Sequence, residues 1–87
     1  MYKLEVRESV VKILKKLKRK DKVRYEALHR KIKEVLQDPH RYKNLRKPLQ
    51  HLRRVHSGPF VLTFSVDENT RTIILEDYRH HDEIYKV

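Results

Sequence analysis

His80-His81-Asp82-Glu83-Ile84-Tyr85 stands close to the end of the chain, directly after a β-type run from Thr72 to Tyr78. Imidazole both takes and gives protons near neutral pH, and Tyr85 adds a hydroxyl or a stacking ring. Another histidine, His56, precedes Ser57-Gly58-Pro59 and a second apolar run. Histidines at two strand ends suit a reaction that needs one general base and one general acid, because an unperturbed pKa of about 6.5 leaves both forms populated. Successive side chains on an extended chain point to opposite faces, so only one of His80 and His81 reaches a given site.

Metal-free RNA cleavage is a reaction of that kind. The ribose 2′-hydroxyl attacks the adjacent phosphate, a base takes its proton, an acid protonates the departing 5′-oxygen, and positive charge covers the pentavalent phosphate. In that scheme His81 is acid or base and His56 its counterpart or a phosphate ligand. Arg54 is the stabiliser, favoured by the bidentate fork of arginine. Lys43, Arg46, Lys47, Arg53 and Arg79 are further phosphate-binding candidates, and Tyr85 stacks on a splayed base. Each has a plainer reading. His56 is then an exposed turn residue, Tyr85 and Ile84 a latch for the C-terminus, and the Lys15–Lys22 cluster a solvated turn or a ribosomal-RNA contact. The chain has no cysteine, which removes disulfide, thiolate-nucleophile and zinc–thiolate readings. No His-x-x-x-His spacing with a flanking carboxylate occurs either. Glycine-rich phosphate loop, serine elbow and dinucleotide fingerprint are also missing, so neither a metal nor a small-molecule cofactor is expected.

Charge points the same way. The chain carries 22 Lys and Arg against 12 Asp and Glu, a net +10. The excess is uneven: residues 1–54 hold 19 basic and 6 acidic side chains, residues 55–87 hold 3 and 6. Such a field draws in polyanions and makes binding steeply salt-dependent. Balanced thermophile enrichment of Lys, Arg and Glu does not leave so large a net sign.

These groups need a scaffold, and 87 residues allow one domain, spanning 1–87, of modest stability. No apolar run approaches the length of a membrane span, and the N-terminus lacks the charged-then-apolar order of a signal peptide, so a cytoplasmic protein is expected. Tyr2, Leu4 and Val6 alternate with Lys3 and Glu5 as in a half-buried strand. From about Ser9 the period becomes helical, with Val10, Leu14 and Leu17 on one stripe widened by Val11 and Ile13. Lys18–Lys22 lacks apolar residues and reads as a basic turn, with Asp21 capping a second helix. That helix puts Tyr25, Leu28, Ile32, Val35 and Leu36 on one face and stops at Asp38-Pro39. Leu52–Val55 and Phe60–Val66 read as strands, Asp67-Glu68-Asn69-Thr70 as a turn, and Thr72–Tyr78 as the hairpin partner. The order β-α-α-β-β-β predicts an α+β sandwich, an antiparallel sheet covered on one face by an N-terminal helix hairpin.

Three local patterns add a resemblance to a known family. Lys47-Pro48-Leu49-Gln50, the run Val55-His56-Ser57-Gly58-Pro59-Phe60 with its following strand, and His81-Asp82-Glu83-Ile84-Tyr85 occur in the order seen in the RelE/ParE superfamily. These are the toxin halves of type II toxin–antitoxin pairs, and the chain most resembles the YafQ-like branch. The resemblance implies a RelE-like fold and a ribosome-dependent mRNA endoribonuclease (an mRNA interferase), held in check by an acidic antitoxin and partnered by mRNA and ribosome. It carries over His56, His81 and Tyr85, with Lys47 where the branch often has histidine. The chain departs from the branch in a Pro59-Phe60 interval one residue shorter and in Asp77, where many relatives have arginine. The alternative implied by the same superfamily is a non-catalytic module: a ParE-like topoisomerase inhibitor, or a degenerate relative that only binds its antitoxin.

Overall fold

The computed structural model describes residues 1–84. In chain order the elements are β1 (Lys3–Val6), α1 (Glu8–Lys20), α2 (Lys22–Gln37), a 3-10 turn (Pro39–Arg41), β2 (Arg53–Ser57), β3 (Phe60–Asp67), β4 (Thr72–His80) and the short α3 (His81–Ile84). Tyr85, read above as a stacking or catalytic residue, lies outside the described residues.

The α+β class and the β-α-α-β-β-β order stand, but the sheet is mixed. Strands run in the order β1-β4-β3-β2. β2–β3 and β3–β4 are antiparallel, whereas β1 lies parallel to β4, from Lys3 opposite Thr72 to Val6 opposite Leu75. Apolar–polar alternation has the same period in both arrangements, so it carried no information on this pairing. The connection decides it: α1 and α2 carry the chain across the sheet before β2, and the β2–β3–β4 meander ends running alongside β1.

Val10 and Leu17 of α1 and Leu28, Ile32 and Val35 of α2 are buried against Val55, Leu62, Phe64, Ile73, Leu75 and Tyr78 of the sheet. The basic segment is not a turn. Lys18, Arg19 and Lys20 form the last turn of α1, where good helix formers also place cations on the negative end of the helix dipole. The connection shrinks to Asp21, whose N–H bonds Leu17 O at 2.8 Å. Its Oδ1 accepts from the Arg24 N–H at 3.1 Å, capping α2 as its residue type predicts. α2 ends at Gln37, before Asp38-Pro39.

β4 contains an irregularity that positions the site. Thr63 pairs with Asp77 but Phe64 pairs with Leu75, so Glu76 is the extra residue of a bulge. The bulge changes the phase of the strand. Ile73 and Leu75 face the helices, and so does Tyr78 rather than Asp77. Asp77 and Arg79 are thereby turned to the opposite face, in register with Thr63 and Val61 of β3 and, beyond them, with Arg54 and His56 of β2. Glu76 is anchored by Ser65 Oγ at 2.6 Å and Arg7 Nε at 2.8 Å.

Candidate active site on the sheet face away from the helices

Arg54 and His56 lie two residues apart on β2, hence on one face, the one away from the helix hairpin. The strand begins one residue later and ends two later than the predicted Leu52–Val55, which brings His56 into the ladder opposite Val61. His56 is therefore not a turn residue, although its side chain is exposed.

β4 ends at His80, and His81 opens α3. The His81 N–H donates to Pro59 O at 2.8 Å, which ties the start of α3 to the tight turn between β2 and β3. Gly58 makes that turn possible with a φ of 60°, a value that glycine adopts at no steric cost. The His81 ring then lies 6.1 Å from the His56 ring, centroid to centroid, at an interplanar angle of 35°. Both rings are exposed. His80 goes the other way, edge-on against Phe60 at 5.4 Å. Phe60 is itself stacked on Tyr78 at 5.4 Å and covered by the Arg24 guanidinium at 3.6 Å. Arg24 Nε also donates to the Tyr78 hydroxyl at 3.3 Å. The two successive histidines thus diverge as expected, although His81 does so from the first position of α3 rather than from an extended strand.

The basic candidates do not all converge. Arg53 points away from Arg54 and donates through Nη1 to Tyr42 O at 2.7 Å, a contact that fastens the loop after α2 to β2. Arg79 shares the face of His56, but its Nε binds Asp77 Oδ2 at 2.7 Å and its Nη1 lies 3.7 Å from Glu83. The hydrogen bond and charge of Asp77 raise the arginine pKa above its ordinary value. Arg46 and Lys47 are exposed in the loop before β2, where Leu49 N–H closes a turn on Arg46 O at 2.8 Å. Lys43 lies beside β2, its carbonyl accepting from Arg54 N–H at 3.2 Å, and lines a notch with Arg54 and His56. Two cations of that notch, Lys31 of α2 and Arg41 of the 3-10 turn, were missed from sequence. Lys31 follows Leu28 by three positions, at the margin of the buried stripe, and that border position was the available signal. Among the described residues, no group of three His, Cys, Asp or Glu side chains is placed to hold a metal ion.

A family model described as "ParE toxin of type II toxin-antitoxin system, parDE" matches residues 2–85. The chain is 51% identical over 87 residues to "Putative toxin RelE4" of Methanocaldococcus jannaschii, covering 99% of this chain and 93% of that protein. Its fold is similar to that of the toxin–antitoxin complex RelBE2 from Mycobacterium tuberculosis, with a TM-score of 0.77 at 20% identity over 91% of this chain and 96% of that one. The isolated Escherichia coli RelE toxin gives a TM-score of 0.74 at 23% identity over 92% and 84% of the two chains.

Proposed function

The chain belongs to the ParE toxin family of type II toxin–antitoxin systems, within the RelE/ParE superfamily, and from that premise we propose that it is an mRNA endoribonuclease acting on the ribosome. The observation that carries this reading is the pairing of the exposed His56 and His81 rings at 6.1 Å on the sheet face away from the helix hairpin. At that separation one ring reaches a ribose 2′-hydroxyl while the other reaches the 5′-oxygen leaving the same phosphorus. Arg54, two residues from His56 on the same face, supplies the cation over the phosphate. In a site of this kind a positioned charge is worth several kcal/mol of transition-state stabilisation, by analogy with a lost oxyanion donor. Acid–base chemistry by positioned imidazoles adds roughly 10²–10⁴-fold. Few other protein groups are needed if the ribosome holds the message. Such an enzyme works in the cytoplasm, where the message is translated.

The toxin's partner in this reading is an acidic antitoxin segment that covers the basic face and orders on binding. The RelBE2 structure is itself a toxin–antitoxin complex, which supports the expectation of such a partner.

The match to a ParE toxin model keeps the second reading implied by the superfamily resemblance, a ParE-like inhibitor of a topoisomerase. Cell-free translation separates the two. Under the nuclease reading, translation stops and mRNA is cut only when ribosomes are present. Continued translation with intact mRNA, together with inhibition of DNA supercoiling in a parallel assay, would establish the second reading instead.

A further inference from the structure

Beside the His56–His81 pair, the sheet edge is notched. The notch has a volume of about 380 Å³ and is lined by Lys31, Arg41, Lys43, Arg54 and His56 around Tyr42. The four permanent cations come from α2, the 3-10 turn, the loop after it, and β2. Two hydrogen bonds fix that loop against the strand: Arg54 N–H to Lys43 O and Arg53 Nη1 to Tyr42 O. Among the described residues, no Asp or Glu lines the notch. Glu34 stands at its margin, 3.9 Å from Lys31 and accepting from the Tyr42 hydroxyl at 3.5 Å; as an exposed carboxylate it offsets only part of the positive charge. Four like charges held around one concavity repel each other, whereas protein surfaces ordinarily intersperse both signs. A bound anion relieves that repulsion.

We propose that this notch is a second phosphate subsite, which takes the backbone of the single-stranded RNA next to the phosphodiester held at the histidine pair. His56 belongs to both the notch and the pair, so an anion seated there continues directly into the catalytic face. That continuity favours an RNA strand over an acidic peptide: a phosphodiester at the pair brings a 2′-hydroxyl and a 5′-oxygen for the imidazoles to act on, whereas a carboxylate offers them charge alone. The strand then passes over the β2 edge towards α2 rather than lying only on the sheet. The assignment rests on the RNA-cleaving reading of the His56–His81 site.

The test is binding of a single-stranded RNA carrying 2′-deoxy substitutions to block cleavage, followed by fluorescence anisotropy across a salt series. Lys31→Ala/Arg41→Ala is compared with Lys15→Ala/Lys16→Ala, which removes the same charge from an exposed stretch of α1. The notch variant should bind about tenfold more weakly at low salt. Its slope of log affinity against log salt should fall by about 1.4, at about 0.7 per single-strand phosphate contact. A slope equal to that of the α1 control overturns the subsite. So does an unchanged RNA affinity accompanied by weakened binding of a poly-glutamate probe, which gives the notch to a protein partner. The outcomes stay separable from the nuclease reading. Notch-dependent RNA binding by a wild type that leaves ribosome-bound mRNA intact overturns cleavage alone. Normal cleavage by a variant with control-like binding overturns the notch alone.

Discussion

Asp77 and Arg79 show how one side chain sets the working charge of another. Both are turned to the face of His56 by the bulge at Glu76, and there Asp77 engages the arginine at 2.7 Å. That face carries Arg54 in line with His56, and Arg79 on it is partly neutralised by Asp77. Replacing Asp77 with alanine should release Arg79 and remove a negative charge from the site. RNA affinity is expected to rise a few-fold and the salt slope to steepen by about 0.7, measured by anisotropy with the same deoxy-substituted strand. Glu76 beside it controls stability instead. Partial burial pushes its carboxyl up, but hydrogen bonds from Arg7 and Ser65 and the Arg7 charge outweigh this and hold it below its ordinary value of 4.5. The unfolded chain therefore binds the proton first on acidification. The stabilisation from Glu76 is complete above about pH 4.5 and is lost as pH falls through the lower folded value. Urea midpoints measured from about pH 6 to 3 should drop in this window, and Glu76→Gln should flatten that part of the curve.

At the scale of elements, the helix hairpin turns on Asp21, a single residue that ends one helix and caps the next. Asp21→Ala should lower stability by about 1 kcal/mol, seen as a shifted urea midpoint with an unchanged slope. Arg24→Ala uncovers Phe60 and breaks the contact to Tyr78. A loss of about 1 kcal/mol is expected from the cation–π contact in the same experiment. The hairpin was legible because Val10, Leu17, Leu28, Ile32 and Val35 keep a helical period, and because Asp21 and Pro39 are local signals. The histidine pair was legible as two strand-end residues on one face. The parallel β1–β4 pairing was not, since direction leaves no trace in alternation. The bulge did leave one: the core residues of β4 are spaced Ile73, Leu75, Tyr78, two and then three, and that change of step marks an inserted residue. The notch was hidden because its four cations come from α2, the 3-10 turn, the loop after it and β2, which only the tertiary fold brings together. Arg53, a phosphate-binding candidate by sequence, is turned to the face opposite Arg54 by adjacency on the strand and is held by Tyr42 O.

Across the whole molecule, positive charge is concentrated on the first 54 residues while both histidines of the site lie in the slightly acidic remainder. The fold reconciles the two by laying β2 along the edge where α2 and the following loop bring their cations. At 87 residues the chain buries a modest share of its unfolded surface, so any partner that binds only the folded form adds to its stability. In the proposed function, His56 and His81 together cut mRNA on the ribosome. The most direct measurement is single-turnover cleavage of ribosome-bound message by the wild type, His56→Ala and His81→Ala, with new 5′ ends mapped by primer extension. Ribosome-dependent ends that form at least about a hundredfold more slowly in both variants are the expected result. Intact message with the wild type, or cleavage at an unchanged rate in both variants, would contradict it.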